Sequence, residues 1–489
     1  MRIGIVASEA APFAKTGGLA DVTGALPKTL FRLGHEPFLV MPLYRAVRES
    51  NVPLREVGRV RVPIRRVGVG ARVFEGRIPG TEALAFFIGY DGYYDRPGLY
   101  GDNGAGYPDN CERFAFLSRA AIEVFRLLDV KPDVVHLHDW QTALVAPYLR
   151  ILYKDDSALS SAGVVLTIHN MAYQGVFWHL DMETIGIDWS YFTWKYFEYW
   201  GNINLLKAGI VFADVINTVS PAYAREIETP AAGHGLEGAL RDRDDALHGV
   251  VNGIDDAVWN PAADPHLPKT YGPEDFSGKA ACKRALQRQV GLPQRKAPVL
   301  GVVSRFAEQK GLDLVAAALP RLFDRGPVQC VILGDGDDGI AAMLRDVAAR
   351  YPARLSVTDG YDERLAHRII AGADMVLVPS RFEPCGLTQL YGLKYGTIPV
   401  VRRTGGLADT VIDCTPANLD AGKATGFVFE NPTPDALTRC IERALALFRD
   451  RRSWERLIQI AMTRDWSWER STRCYLSLYA EAMDARKRA

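Results

Sequence analysis

The chain of 489 residues has no run of about 18 apolar residues, the length a helix needs to cross a bilayer, so no membrane-spanning helix is expected. It carries no net charge, because Lys+Arg and Asp+Glu both total 58. Without a basic excess, or a basic run interleaved with aromatics, a nucleic-acid partner and an acidic membrane surface both lose their electrostatic basis. The seven cysteines (111, 282, 330, 385, 414, 440 and 474) form no CxxC pair and no zinc-ligand spacing. Reduced thiols in a cytoplasmic protein are expected, with no disulfide framework and no metal site. Neither a G-x-G-x-x-G at the first strand nor a G-x-x-x-x-G-K-[ST] loop is present, which removes the main support for a dinucleotide oxidoreductase or a P-loop NTPase. The opening residues 1–8 read as a first strand running into a Gly-rich loop rather than as a signal peptide.

What is present is an α/β pattern repeated in two halves. At this length one ordinary core is exceeded, so two domains are expected. In the first half, β-branched apolar runs cover 3–7, 36–41, 83–88, 134–137, 164–168 and 215–219. In the second they cover 299–303, 328–333, 355–358, 375–378 and 399–401. Continuous apolar strands separated by helices imply parallel sheets buried on both faces, with ligands beyond the C-terminal strand ends. A Pro/Gly-rich passage at 252–297 is the candidate linker, which gives domains of 1–250 and 251–464. The terminal stretch 465–489, with Trp468, Tyr475 and Tyr479 at helical spacing, is expected to cross back onto the first domain as a packing helix. The loop at 91–109, rich in Gly, Tyr and Asp, suits a surface loop, either touching sugar or simply solvated.

One unusual string occurs once in each half. Lys15-Thr16-Gly17-Gly18-Leu19-Ala20-Asp21 and Arg403-Thr404-Gly405-Gly406-Leu407-Ala408-Asp409 each follow a strand-like run and precede a helix-like one. Such a loop offers backbone N–H groups and a cation to an anion or a sugar hydroxyl, since glycine puts no side chain in the way. Ser304-Arg305 through Gln309-Lys310-Gly311 places two cations in one strand-to-helix loop, where a diphosphate would sit, although solvated loop cations are the plainer alternative. Glu383, in Pro379-Ser380-Arg381-Phe382-Glu383-Pro384-Cys385-Gly386-Leu387, either faces a sugar or caps the following helix. Cys385 reads as a small packing residue, not a nucleophile. His136-Leu137-His138-Asp139-Trp140 and Thr167-Ile168-His169-Asn170 both end strands. His169 is a candidate partner for a sugar hydroxyl or carbonyl, against a buried structural histidine. The Gly334-Asp335-Gly336-Asp337-Asp338-Gly339 turn reads as close backbone approach to a nucleotide, or as aspartates capping a helix.

These strings, with His169-Asn170-Met171-Ala172-Tyr173-Gln174-Gly175, Asn252-Gly253-Ile254-Asp255 and the run from Pro379 to Thr410, make the chain resemble the bacterial glycogen synthases and plant starch synthases over essentially its whole length. The resemblance implies the GT-B fold, two Rossmann-like parallel-sheet domains facing a central cleft. It also implies transfer of glucose from ADP-glucose to the non-reducing end of an α-1,4-glucan (glycogen or a malto-oligosaccharide), with retention and with neither metal nor cofactor. By motif, Arg305 and Lys310 would hold the donor diphosphate, and Lys15 with Gly17, Gly18 and Asp21 would reach the donor from the first domain. Glu383 would stand beside the glucosyl ring and His169 would bond its 6-hydroxyl. Asp139 and Asn170 would line the sugar site, and Tyr361 would stack on adenine. Cys385, Gly386, Leu387, Thr404, Gly405 and Gly406 would contact substrate, the last three at the distal phosphate. Many retaining GT-B enzymes place a second Glu eight positions after the first; here that position is Tyr391, as in glycogen and starch synthases. A UDP-glucose transferase, a phosphorylase and a non-catalytic glucan-binding scaffold are the rival readings.

Overall fold

The structure, a computed structural model, describes residues 1–50, 52–65, 67–102 and 104–488; residue 103 of the 91–109 loop and residue 489 of the terminal stretch lie outside the described residues. The chain divides into two compact units: Met1–Val219 with Ala224–Val250 and Trp468–Ala489, and Ser220–Tyr223 with Val251–Ser467.

Unit 1 is built on strands β1 (Arg2–Val6), β2 (Glu36–Pro42), β3 (Arg55–Ile64), β4 (Val67–Arg77), β5 (Leu84–Gly89), β6 (Val134–His138) and β7 (Gly163–Ile168). Three very short strands follow, β8 (Val176–Trp178), β9 (Glu198–Tyr199) and β10 (Asn202–Asn204), then β11 (Val215–Thr218) and β12 (Leu247–Gly249). The main sheet runs β12-β11-β7-β6-β1-β2-β5-β4-β3. Every pair from β12 to β5 is parallel, while β4 and β3 add an antiparallel edge. Sequence reading found β1, β2, β5, β6, β7 and β11 because each is a largely apolar run, with β6 and β7 buried at every residue, and it missed β12, a three-residue strand that is only partly buried. It missed the β3–β4 hairpin because an edge hairpin alternates: Val60, Val62 and Ile64 are buried while the residues between them face solvent.

The terminal helix Trp468–Arg488 belongs to unit 1 and packs against β7, burying Trp468, Tyr475, Leu478 and Tyr479. Its tyrosines also serve polar groups of the sheet: His136 Nδ1 lies 2.9 Å from the Tyr479 hydroxyl, and Asn217 Nδ2 lies 3.3 Å from that of Tyr475. The 91–109 loop does not simply sit in solvent. Tyr93 and Tyr94 are buried, and the fully buried Arg113 guanidinium lies over the rings of Tyr94, Tyr107 and Phe114 while donating to the carbonyls of Tyr93 and Leu99. Its charge is matched by the Asn110 side-chain oxygen at 2.6 Å, by backbone dipoles and by aromatic faces, with no carboxylate bonded to it among the described residues.

Unit 2 holds strands β13 (Val299–Val303), β14 (Gln329–Gly334), β15 (Leu355–Asp359), β16 (Met375–Val378), β17 (Ile398–Arg402) and β18 (Phe427–Phe429), all parallel, in the order β15-β14-β13-β16-β17-β18. Counted from its first strand this is 3-2-1-4-5-6, the Rossmann order, and the strands flanking β1 in unit 1 follow the same reversal. The 252–297 passage is not a bare linker. It contains the helix Gly278–Gln289, and Tyr271, Cys282 and Leu286 are core residues. Buried Asp264 accepts from the Tyr395 hydroxyl and bonds His367 Nδ1, each at 2.7 Å. Lys279 Nζ donates to the Ala371 carbonyl at 3.0 Å, and burial pulls its pKa down to about 7. The prolines there punctuate turns, and the apolar residues between them still pack.

Two glycine-rich features have packing causes. A Cβ at Gly334 would stand 1.9 Å from the Ser304 carbonyl, and one at Gly336 (φ +135°) 2.4 Å from that of Phe306. The close approach at this turn is therefore to the chain's own 304–306 loop, and Asp337 caps the next helix by accepting from Ile340 N–H. In unit 1, a Cβ at Gly24 on the helix Gly18–Arg32 would meet the Ala11 carbonyl at 2.4 Å. Gly24→Ala is expected to force that helix off the 10–14 loop and to destabilise unit 1 by about 1–3 kcal/mol. Gly17→Ala, with open space around its Cβ and an extended backbone, is expected to leave Tm unchanged in the same thermal unfolding experiment.

Candidate active site

In a sheet of Rossmann order, the crevice lies where strand order reverses, beyond the C-terminal ends of the central strands. In unit 1 those strands are β1 and β6, followed by the loop to Gly18 and by Asp139. In unit 2 they are β13 and β16, followed by Ser304-Arg305 and by Pro379 to Glu383.

In unit 1 a buried carboxylate organises the first loop. Glu9 accepts from Thr16 N–H at 2.5 Å and from the hydroxyls of Thr16 at 2.7 Å and Tyr100 at 2.5 Å. This fixes the turn that presents Gly17 and Gly18. Lys15 Nζ, half exposed, pairs with Asp21 at 2.6 Å. Both residues were expected near the donor, and the structure places them on one another.

Asp139 follows β6 with φ +56° and ψ −174°, a region that residues with a Cβ rarely occupy. The strained backbone turns its carboxylate under the end of β7, where Oδ1 accepts from His169 N–H at 2.6 Å and the carboxylate also bonds Asn170 N–H. Burial, reinforced by the nearby Glu9 charge, pushes its pKa up to about 7 despite those two hydrogen bonds. Beside it stands a column of imidazoles. The rings of His136 and His138 are 4.2 Å apart between centroids, and His138 Nδ1 lies 2.9 Å from His169 Nε2. Residues two apart on a strand share a face, which is why the His136 and His138 rings lie side by side. Burial pushes His136 and His169 down to about 3 and holds His138 well below the ordinary imidazole range, so the column is neutral. His169 Nδ1 is the ring nitrogen not engaged by His138. The Asn170 side-chain oxygen accepts from Ala172 N–H at 3.0 Å.

In unit 2 the loops after β13 and β16 are stitched together. Arg381 N–H donates to the Gln309 carbonyl at 2.7 Å, Gln309 Nε2 donates to the Phe382 carbonyl at 3.1 Å, and Arg381 clamps Asp313 with two bonds of 2.8 and 2.7 Å. Gly311 (φ +64°) passes the Pro379 carbonyl so closely that a Cβ would stand 2.4 Å from it. The joined loops line a cavity of about 180 Å³ that includes Arg305, Lys310, Ser380, Glu383, Gly386 and Leu387. Glu383 is 6% exposed and accepts from Lys310 Nζ at 2.7 Å and Ser380 Oγ at 2.8 Å. It caps no helix. The guanidinium of Arg305 is exposed and has no hydrogen bond or ion pair among the described residues.

Gly406 N–H donates to the carbonyls of Glu383 and Pro384, both at 3.1 Å, so it is engaged within the chain, and Thr404 precedes the short helix Gly405–Thr410. Pro384 also receives Ser220 Oγ at 2.8 Å. Cys385 is buried, which lifts its thiol to about 12 and leaves it inert. Tyr391, eight positions after Glu383, is stacked on Trp259 with centroids 3.8 Å apart. Tyr361 lies just beyond β15, 65% exposed.

Comparison with known proteins agrees with this layout. The starch synthase catalytic domain family matches residues 2–242, and glycosyl transferases group 1 matches 283–459. A glycogen synthase of Anaeromyxobacter dehalogenans (strain 2CP-C) is 48% identical over 98% of this chain and 99% of its own length. One from Syntrophotalea carbinolica is 45% identical, covering 99% of each. The chain belongs to the glycogen/starch synthase family of glycosyltransferases. The catalytic domain of starch synthase IV from Arabidopsis thaliana, solved with ADP and acarbose, superposes with a TM-score of 0.91 at 33% identity, covering 99% of both chains. The two Rossmann-like units are thus those of the GT-B fold that the family uses.

Within that family assignment, three site neighbours escaped sequence reading: Glu9, His138 as a partner of His169, and Ser380. His138 and Ser380 sit within strings that were singled out and Glu9 in none, and the roles of all three come from contacts that close only in three dimensions.

The raised Asp139 pKa gives a signed expectation. An unfolded aspartate releases its proton near pH 3.9, while the folded one holds it to about 7. Its contribution is therefore fully present below about pH 4 and lost as pH rises to about 7. Asp139→Asn is expected to abolish that loss, so that its Tm relative to wild type rises between pH 4.5 and 8. The neutral histidines titrate in both proteins and cancel in the difference. Parallel Tm–pH curves would show that Asp139 ionises normally.

Proposed function

We propose that this chain transfers glucose from ADP-glucose to the non-reducing end of an α-1,4-glucan, glycogen or a malto-oligosaccharide, with the anomeric configuration retained. The observation that carries this reading is full-length similarity to glycogen synthases together with the match to a starch synthase domain solved with ADP. The arrangement of charge in unit 2 supports it.

Breaking the bond between glucose C1 and the diphosphate oxygen builds negative charge on ADP and oxocarbenium character on the sugar. Arg305 has its donors unspent and is taken to grip the diphosphate. Lys310 spans the two charges, holding Glu383 with one proton while facing the same cavity as Arg305. Thr404 and Gly405 are assigned the distal phosphate, and Tyr361 the adenine face. Glu383 stabilises the positive ring without forming an adduct. As the acceptor hydroxyl bonds to C1 from the face that ADP leaves, its proton passes to the departing diphosphate oxygen. His169 Nδ1 is assigned the 6-hydroxyl, Asp139 and Asn170 the sugar site, and Lys15 with Gly17, Gly18 and Asp21 further donor contacts. Two cations and backbone dipoles take the role a metal would have, so neither metal nor cofactor is required. The reaction is placed in the cytoplasm, where the cysteines remain thiols.

The test is ADP release from ADP-glucose with and without glycogen. Arg305→Ala is expected to lower kcat/KM for ADP-glucose about 10²–10³-fold, chiefly by raising KM, with no restoration by magnesium and no effect of EDTA on wild type. Much faster turnover with UDP-glucose would overturn the donor assignment, and glucan binding without ADP release would favour the scaffold reading. A trapped glucosyl ester on Glu383 would replace the adduct-free mechanism with a covalent one.

A further inference from the structure

The small sheet of unit 1, ordered β8-β10-β9, has one face that looks built for contact. Its register pairs Trp178 with Asn202 and Tyr199 with Asn202, so Trp178 and Tyr199 share a face with Asn202, while Phe177 and the buried Ile203 point the other way. Val176, two residues before Trp178, lies on the same outer face. The solvent side is thus apolar and aromatic, with Trp178 60% and Val176 42% exposed. β9 and β10 are joined by the two-residue turn Trp200-Gly201, with φ +50° and +79°. Such turns favour Asn or Gly at the first position, and a bulky side chain there is strained. Yet the residue is tryptophan, 84% exposed. The turn is held by Gly201 N–H to Glu198 at 2.9 Å and by His179 Nδ1 to the Gly201 carbonyl at 3.1 Å. Two indoles are therefore displayed in water, one of them at the expense of backbone strain.

The same face runs into a cavity of about 450 Å³ lined by Val176 and Tyr199 together with Trp140, Tyr173, Gln174 and His234. Trp140 directly follows Asp139, so the cavity begins where the unit 1 site ends. A row of aromatic faces that carries little charge and leads away from a sugar site suits a neutral, hydroxyl-rich polymer. The C–H edges of a glucose ring lie against the electron-rich face of an indole, and the hydroxyls find polar groups at the rim.

We propose that Trp178 and Trp200 form a platform that carries an α-1,4-glucan chain behind the end being extended, with the chain passing through the Trp140–Tyr173 cavity. This rests on the glucan-transfer reading above. A platform distant from the reacting end serves long acceptors and is out of reach of very short ones.

The test uses the full chain with Trp200→Asn, Trp178→Ala and the double variant. Asn accepts positive φ, so Trp200→Asn is expected to keep or raise Tm. The ratio of KM for glycogen to KM for maltotriose should rise roughly five- to tenfold in each single variant, as for an aromatic anchor. Retardation in a glycogen-containing native gel should weaken in parallel. An unchanged KM ratio and unchanged retardation in the double variant, with wild type active, would overturn the platform alone. If wild type neither consumes ADP-glucose nor is retarded by glycogen, the transfer reading falls and the platform falls with it.

Discussion

The unit 2 site depends on a backbone approach so close that two positions admit only glycine. A Cβ on Gly405 would stand 2.1 Å from the Glu383 carbonyl, and one on Gly406 2.1 Å from that of Cys385. Because the chains touch there, Gly406 N–H can tie down the turn that carries Glu383, and Ser220 fixes the same turn from another side. The carboxylate is then aimed at Lys310 and Ser380 by main chain as well as by side-chain packing. Precise placement of this kind is what electrostatic catalysis requires, since a donor or carboxylate that must reorganise during the reaction loses most of its value.

The twin Thr-Gly-Gly-Leu-Ala-Asp strings do different work in the two units. Gly17 has open space around it, whereas Gly405 and Gly406 are packed against backbone. Asp21 pairs with Lys15, but Asp409 accepts from Ala222 N–H at 2.7 Å. Arg403, the counterpart of Lys15, is turned to Glu430 at 2.6 Å. The same local sequence suits a strand-to-helix turn in both places, and the tertiary surroundings decide whether its glycines leave room for a ligand or for the protein itself.

This explains how far sequence reading carried. Strands β13 and β16 were located to the residue because fully buried parallel strands are unbroken apolar runs ending in polar loops, and that contrast survives in one dimension. Arg305, Lys310 and Glu383 stood out for the same reason, lying just past those ends. Glu9 and His138 did not, because their meaning comes from Thr16 and Tyr100 in one case and His169 in the other. The outer face of β8–β10 was invisible too, since strands of two or three residues are too short to show a period. The 252–297 passage misled in the opposite direction, because turn-rich composition hid a helix and a buried Asp264.

Unit 1 and unit 2 handle charge in opposite ways. In unit 1 burial keeps the imidazole column neutral and holds the Asp139 proton to about pH 7, giving an environment suited to hydroxyl groups, which need both donors and acceptors. In unit 2 the opposite charges are paired: Glu383 accepts from Lys310 and Ser380. On the proposed reading, a diphosphate entering beside this pair would compete for Lys310, so the lysine would not be a wholly unspent anion trap. It would share its protons between the carboxylate and the phosphate, its pull on the phosphate growing only as charge develops there. Arg305, whose guanidinium has no partner among the described residues, would supply the ground-state attraction. Two cations in one loop would then divide the labour, one binding the donor and the other strengthening as the bond breaks, which is the differential stabilisation that lowers a barrier rather than deepening the bound state.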